Sequence, residues 1–257
     1  MTDSPENIKS LLDQKVNSFN QIAFIETDPI QIPRQFITKE NIEISGFLAA
    51  TLAWGQRPTI IRNAQRLTGL MNNDPLEFLL QVPEEEWNIF QNFKHRTFNE
   101  VDCIGFLRSL RNIYQNHGGL ETVFNNGFDQ SGSIYGTLIY FRSIFFESDH
   151  LHRTEKHVSD VSKGAAAKRL NMFLRWMVRT DRNGVDFGLW KQIPGSALML
   201  PLDIHTGNVA RKLGLLTRKQ NDWKAVEEIT SKLREFDPKD PIKYDFALFG
   251  LGVFEGF

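Results

Sequence analysis

The sequence contains one cysteine, Cys103, in 257 residues. An internal disulfide, a four-cysteine zinc site and a four-cysteine iron–sulfur cluster are therefore excluded, and such sparing use of cysteine is compatible with a reducing compartment. No stretch approaches the roughly 18 apolar residues of a membrane span. The longest apolar window, Ile44 to Trp54, is shorter and contains Ser45 and Thr51. The opening MTDSPENIKSLLDQK is polar and acidic, where a secretory leader is basic and then apolar. These absences predict a soluble protein of the cytoplasm or nucleoid. Internal repeats, low-complexity tracts and Pro/Ser-rich linkers are missing. So are a Ser-centred hydrolase motif, a Gly-rich phosphate loop and a dinucleotide fingerprint. His150, His152 and His157 cluster loosely but lack the helical spacing of metal ligands, so neither a metal nor any other cofactor is expected.

What the chain does hold is ordinary for a globular protein: 41% hydrophobic and 24% charged residues, with 21 phenylalanines that make an aromatic interior the expectation. Its length suffices for one generous core or two lobes sharing a cleft. The net charge of −1 conceals an asymmetry. Of 30 Lys and Arg, 13 fall between Leu151 and Lys219 against 5 of the 31 Asp and Glu, leaving 17 basic and 26 acidic residues elsewhere. A positive third on a negative body suits a surface that meets a polyanion, although solvated helix faces with no convergence in space give the same count.

Apolar spacing is helical nearly throughout, and strand signals are almost absent. Ile8, Leu11, Leu12 and Val16 predict an opening helix; Glu43 to Trp54 predicts a buried one, closed by Gly55. Pro58 fits the first turn of the next, which runs to about Met71, and Asp74-Pro75 starts another. Val101–Tyr114, Leu120–Phe124 and Ile134–Phe146 continue the pattern, with no proline between Pro83 and Pro194 to interrupt it. A long helix is expected from about Ser162 to Val178, then a turn over residues 181–184. Two closing helices follow, from Trp223 to Phe236 and from Asp240-Pro241 to Leu251. The fold class is all-α: one unit of ten or more helices, in two lobes around a cleft, with the terminal helices packed together.

Three segments carry chemistry. Residues Phe47 to Gln56 read Phe-Leu-Ala-Ala-Thr-Leu-Ala-Trp-Gly-Gln. Lys163-Gly164-Ala165-Ala166-Ala167-Lys168-Arg169 runs into a helix containing Phe173, Arg175 and Trp176. Leu200-Pro201-Leu202-Asp203-Ile204-His205 precedes a helix ending Arg211-Lys212-Leu213-Gly214. In this order they resemble the helix-hairpin-helix DNA glycosylase superfamily that includes endonuclease III and the 8-oxoguanine glycosylases. The likeness spans roughly residues 40–215. The family hairpin reads Gly-x-Gly-x-Lys; Gly164 and Lys168 match, whereas Ala166 stands in place of the second glycine. The longer separation of Lys168 from Asp203 is closer to the archaeal 8-oxoguanine glycosylase branch.

The resemblance implies a two-lobed helical fold in which Lys168 is the nucleophile, Asp203 the electrostatic partner, and damaged double-stranded DNA the partner, with no membrane or obligate protein partner. Gln56 would fill the position that an extruded base vacates. Trp54, Phe173, Trp176 and Phe249 are candidate walls of the base pocket, and His205 would orient the site locally. Lys163, Arg169, Arg175, Arg211 and Lys212 would neutralise phosphates, with the backbone around Gly164 binding one directly. Cutting an N-glycosidic bond builds positive charge on the sugar. An amine that attacks the anomeric carbon expels the base and leaves a Schiff base, while a carboxylate stabilises the cation. Such an amine attacks only when neutral, a form favoured by a helix N-terminus, a nearby guanidinium and partial burial. The same residues admit blander roles: Asp203 as a helix N-cap, Lys168 as a solvated helical lysine, the aromatics as core. Two other functions stay open, a non-catalytic nucleic-acid reader on this fold and a helical protein with no nucleic-acid role. The last would leave Lys168 far from Asp203.

Overall fold

The computed structural model describes residues 4–180 and 182–257. Among these the chain is mainly helical, so the all-α class holds. The α-helices are α1 (Pro5–Phe19), α2 (Lys39–Thr51), α3 (Arg57–Leu70), α4 (Pro75–Gln81), α5 (Glu100–Asn116), α6 (Leu120–Ser131), α7 (Ile134–Phe145), α8 (Lys168–Val178), α9 (Ile204–Lys212), α10 (Trp223–Phe236) and α11 (Tyr244–Val253). One antiparallel ribbon pairs β1 (Lys94–His95) with β2 (Phe98–Asn99). No helix among the described residues is long and apolar enough to cross a membrane.

The chain divides into two compact units, one made of residues 1–26 and 161–257 and the other of residues 27–160. The second is organised around phenylalanine. Phe47 of α2 lies 6.0 Å from Phe106 of α5 and 5.6 Å from Phe141 of α7, whose ring stacks on Phe124 of α6 at 4.4 Å. Rings at these distances combine large buried area with offset and edge-on geometry, which fixes the mutual orientation of four helices. The helix starts follow local chemistry: Asp74 caps α4 ahead of Pro75, and Asn99 and Asp102 form a reciprocal capping box on α5.

In the first unit α1 packs along α11, which also packs on α9. Gly250 makes the first contact possible, because a Cβ there would meet the Phe19 ring at 2.1 Å. Substituting Gly250→Ala must push α1 off α11, and a loss of about 1–3 kcal/mol is expected, typical of overpacking. Thermal melting checks it, and an unchanged melting temperature would refute this reading of the contact.

Several boundaries differ from expectation: α6 runs on from Phe124 to Ser131, α11 starts at Tyr244 after a 3-10 turn at Pro241–Lys243, and two more boundaries shift. The buried helix α2 stops at Thr51, not Trp54: Ala53 N–H bonds Ala50 and Trp54 N–H bonds Leu52, a tightened tail before Gly55 at φ +106°. That tail leaves the Trp54 carbonyl free of the helix to accept from His95 Nε2 at 3.1 Å. The second correction matters more. The helix expected from Ser162 begins only at Lys168, because Gly164 (φ +83°) and Ala167 (φ +49°) both leave helical conformation. Apolar spacing alone reads through such a break. Of the expected turn at 181–184, Asp181 lies outside the described residues, and Gly184 has φ +68°.

Candidate active site

Residues 161–168, where the resemblance places its hairpin, run from a 3-10 turn at Val161–Lys163 into helix α8. Gly164 closes that turn, its N–H donating to Val161 O at 2.9 Å, in a left-handed conformation that only glycine adopts at little cost. Ala166 has ordinary backbone geometry. An alanine at position 166 therefore introduces no left-handed backbone strain of its own. The strained residue is Ala167, held left-handed directly before the helix.

Lys168 is the first residue of α8, and Asp203 is the N-cap of α9. Thirty-five positions apart in sequence, they meet with Lys168 Nζ 3.4 Å from Asp203 Oδ2. The two oxygens of Asp203 divide their work. Oδ1 accepts from the Thr206 N–H at 2.9 Å and the Thr206 hydroxyl at 3.1 Å, which caps the helix and fixes the carboxylate's rotation. Oδ2 is left facing the amine. Lys168 is 32% exposed and Asp203 17%, so the pair is reachable yet partly withdrawn from water.

Behind the pair stands a buried ionic chain that sequence reasoning missed. Arg175, about two turns further along α8, donates to Asp245 of α11 through Nη1 and to Asp186 through Nε at 3.1 Å. Arg179 then joins Asp186 at 2.9 Å to Asp240. Burial pushes the Asp245 carboxyl up to about 6, with Arg175 opposing the rise, Asp203 adding to it and Lys168 lowering it. Asp245 is thus electrostatically coupled to both members of the pair. The signal for it was an acidic residue inside the otherwise apolar run Tyr-Asp-Phe-Ala-Leu-Phe.

The other expected site residues divide sharply. Arg175 is 4% exposed and spent on its carboxylates, so the expectation that it binds phosphate is corrected. Phe173 and Trp176 are core residues without a free face, Phe173 standing edge-on to Trp190 at 5.4 Å; neither walls an open pocket. Phe249 is half-buried between Phe24 and Phe254, each at 6.2 Å. His205 is exposed on the first turn of α9. Lys163 and Lys212 are exposed, the latter over the Phe257 ring at 5.6 Å. Arg169 is half-buried, and desolvation lowers its pKa to about 10. Arg211 is half-buried and donates to Arg218 O at 2.8 Å. Trp54 and Gln56 belong to the other unit. There Trp54 is half-buried, edge-on to His95 at 4.7 Å and stacked on His157 at 5.9 Å, while Gln56 is exposed at the N-cap of α3.

A family model described as a protein of unknown function (DUF2400) matches residues 28–254. The chain belongs to that family. The DUF2400 match encloses the hairpin, Lys168, Asp203 and Asp245, and begins after α1. No curated protein and no solved structure matches this DUF2400 chain. No group of three or more His, Cys, Asp or Glu among its described residues is placed to hold a metal ion. The DUF2400 site presents an amine and a carboxylate at helix N-termini, with a second carboxyl buried behind them.

Proposed function

We propose that this chain is a base-excision DNA glycosylase with associated abasic-site lyase activity, on a two-lobed helix-hairpin-helix glycosylase fold. Its substrate is an oxidised purine of the 8-oxoguanine class in duplex DNA. The observation that carries the reading is the 3.4 Å approach of Lys168 Nζ to Asp203 Oδ2, reached across 35 residues and with the other carboxylate oxygen tied down by Thr206.

In the proposed reaction the Nζ lone pair forms a bond to the anomeric carbon. The glycosidic C–N bond breaks, and the base leaves with the bonding electrons and takes up a proton. Asp203 stabilises the positive charge that develops on the sugar. The sugar's C1′–O4′ bond then breaks, O4′ takes up a proton and an iminium forms; loss of a C2′ proton from it expels the 3′ phosphate and cleaves the strand. The space where a Gly164 side chain would stand is open, but its own N–H is spent on Val161 O, so the expected direct phosphate contact does not fall to that amide. Lys163, Arg169 and Lys212 supply positive charge on the same unit.

Borohydride trapping on duplexes carrying 8-oxoguanine or an abasic site tests the proposal. The wild-type protein is expected to give a covalent adduct and Lys168→Gln none. An adduct that persists in the variant moves the nucleophile elsewhere, with Lys163 next in line. No adduct at all would overturn the lysine Schiff base; if the 8-oxoguanine base also stays in place while duplex binding is salt-dependent, the enzyme is overturned and a non-catalytic reader is left.

A further inference from the structure

The segment after α9 returns to touch the stretch ahead of Lys168 and the backbone of Asp203 through three consecutive residues. The Trp223 N–H donates to Gly164 O at 2.9 Å, and Asp222 pairs with Ala165 as an isolated antiparallel bridge, which ties this segment to the hairpin. One residue earlier, Asn221 Nδ2 donates to the backbone carbonyl of Asp203 at 3.0 Å. Its own Oδ1 accepts from Arg211 Nη2 at 2.6 Å. A guanidinium only donates and a carbonyl only accepts, so these two neighbours define which way the amide points.

Space for this amide is made by a glycine. A Cβ on Gly207, in the first turns of α9, would lie 2.8 Å from Asn221 Oδ1 and 2.9 Å from Arg211 Nη1. The Asp203 carbonyl also accepts the Gly207 N–H at 2.9 Å, so it is held from within its helix and from across the segment. Two of the elements that bring the amine and the carboxylate together, the hairpin and the N-cap of α9, are thereby stapled by a single stretch of backbone.

We infer that Asn221 is a positioning residue: with Asp222 and Trp223 it forms a clip that sets the placement of Asp203 against Lys168. The inference rests on the glycosylase reading for its kinetic consequence, but the geometry it asserts is independent of that reading. Asn221 touches neither reacting group and works through the Asp203 backbone. Displacements well under a residue's width are enough to matter, because a misplacement of about 1 Å in a catalytic constellation slows chemistry by about 100-fold.

Asn221→Asp tests the clip without emptying it. The carboxylate keeps the acceptor that Arg211 needs and loses the donor to Asp203, so the segment stays docked while the tie to the N-cap is cut. Single-turnover adduct formation on an abasic duplex is expected to fall about 10- to 100-fold, with duplex affinity within about twofold and the melting temperature nearly unchanged. Gly207→Ala, which crowds the same amide, is expected to reproduce the slowing. Amide hydrogen exchange supplies a readout that needs no activity: Thr206 and Gly207 are expected to exchange faster in Asn221→Asp than in wild type. A wild-type protein that forms no adduct would overturn the lysine Schiff base of the glycosylase reading, and the exchange data would still decide the clip. Wild-type exchange at Thr206 and Gly207 in Asn221→Asp, or a wild-type adduct rate in that variant, would overturn the clip itself.

Discussion

Replacing Asp203 by Asn is expected to lower the rate of adduct formation by about 100- to 1,000-fold while leaving the fold in place. The reason lies in the division between the two oxygens. Asn is as good an N-cap as Asp, and its Oδ1 can accept from Thr206 just as the carboxylate does. What it removes is the charge at the Oδ2 position, 3.4 Å from the Lys168 amine. Asp203→Ala is the complement, since it deletes cap and charge together and is expected to lose about 1 kcal/mol of stability as well. Borohydride-trapped adduct measured under single-turnover conditions, beside a thermal melt, separates the two roles. An Asp203→Asn protein that reacts at the wild-type rate would reduce Asp203 to a helix cap and remove the carboxylate from the mechanism.

The second large effect is one of stability. Arg175→Met strips the guanidinium from Asp245, which is buried, and from Asp186, which keeps Arg179. Removing one partner of a buried pair leaves an uncompensated charge, and a loss of about 3–5 kcal/mol is expected near neutral pH. The pH dependence has a definite sign. Burial raises the Asp245 carboxyl to about 6, above its ordinary value of 3.8, so the fold favours the protonated form. That contribution is present in full below the ordinary value and disappears as pH rises through about 6. Without Arg175 the opposing attraction is gone, so the carboxyl stays neutral to higher pH. The melting deficit of Arg175→Met should therefore shrink on going from about pH 7.5 to about pH 5. Adding Asp245→Asn to Arg175→Met should recover part of it, since a neutral pair carries no stranded charge. A deficit that is independent of pH would show that Asp245 is not the group left exposed to the loss.

The basic segment illustrates how far charge counting reaches. Thirteen Lys and Arg between residues 151 and 219 point to a polyanion. The same count includes Arg175 and Arg179, which the structure spends on Asp186, Asp245 and Asp240. A sequence tally assigns each cation to the surface by default, whereas the burial of both guanidinium groups against the Phe246 ring is a property of packing.

Local chemistry determined much of this protein before any tertiary contact. Helical spacing, Pro at first turns and Asp or Asn at caps were enough for the positions of most helices and for the all-α class, because those signals act within a few residues. The order of the hairpin lysine and the capping aspartate was legible for the same reason, each being a local motif. The break at Gly164 and Ala167 was not, since an alanine run supports a helix intrinsically and only the backbone pairing of residues 164 and 165 with 222 and 223 pulls it apart. Tertiary structure alone decided that Lys168 reaches Asp203, that Asn221 holds the carbonyl beside it, and that Arg175 turns inward to Asp245. Each of these joins residues 18 to 70 positions apart, and such contacts are set by which helix faces bury against each other, a quantity that no short window of sequence contains.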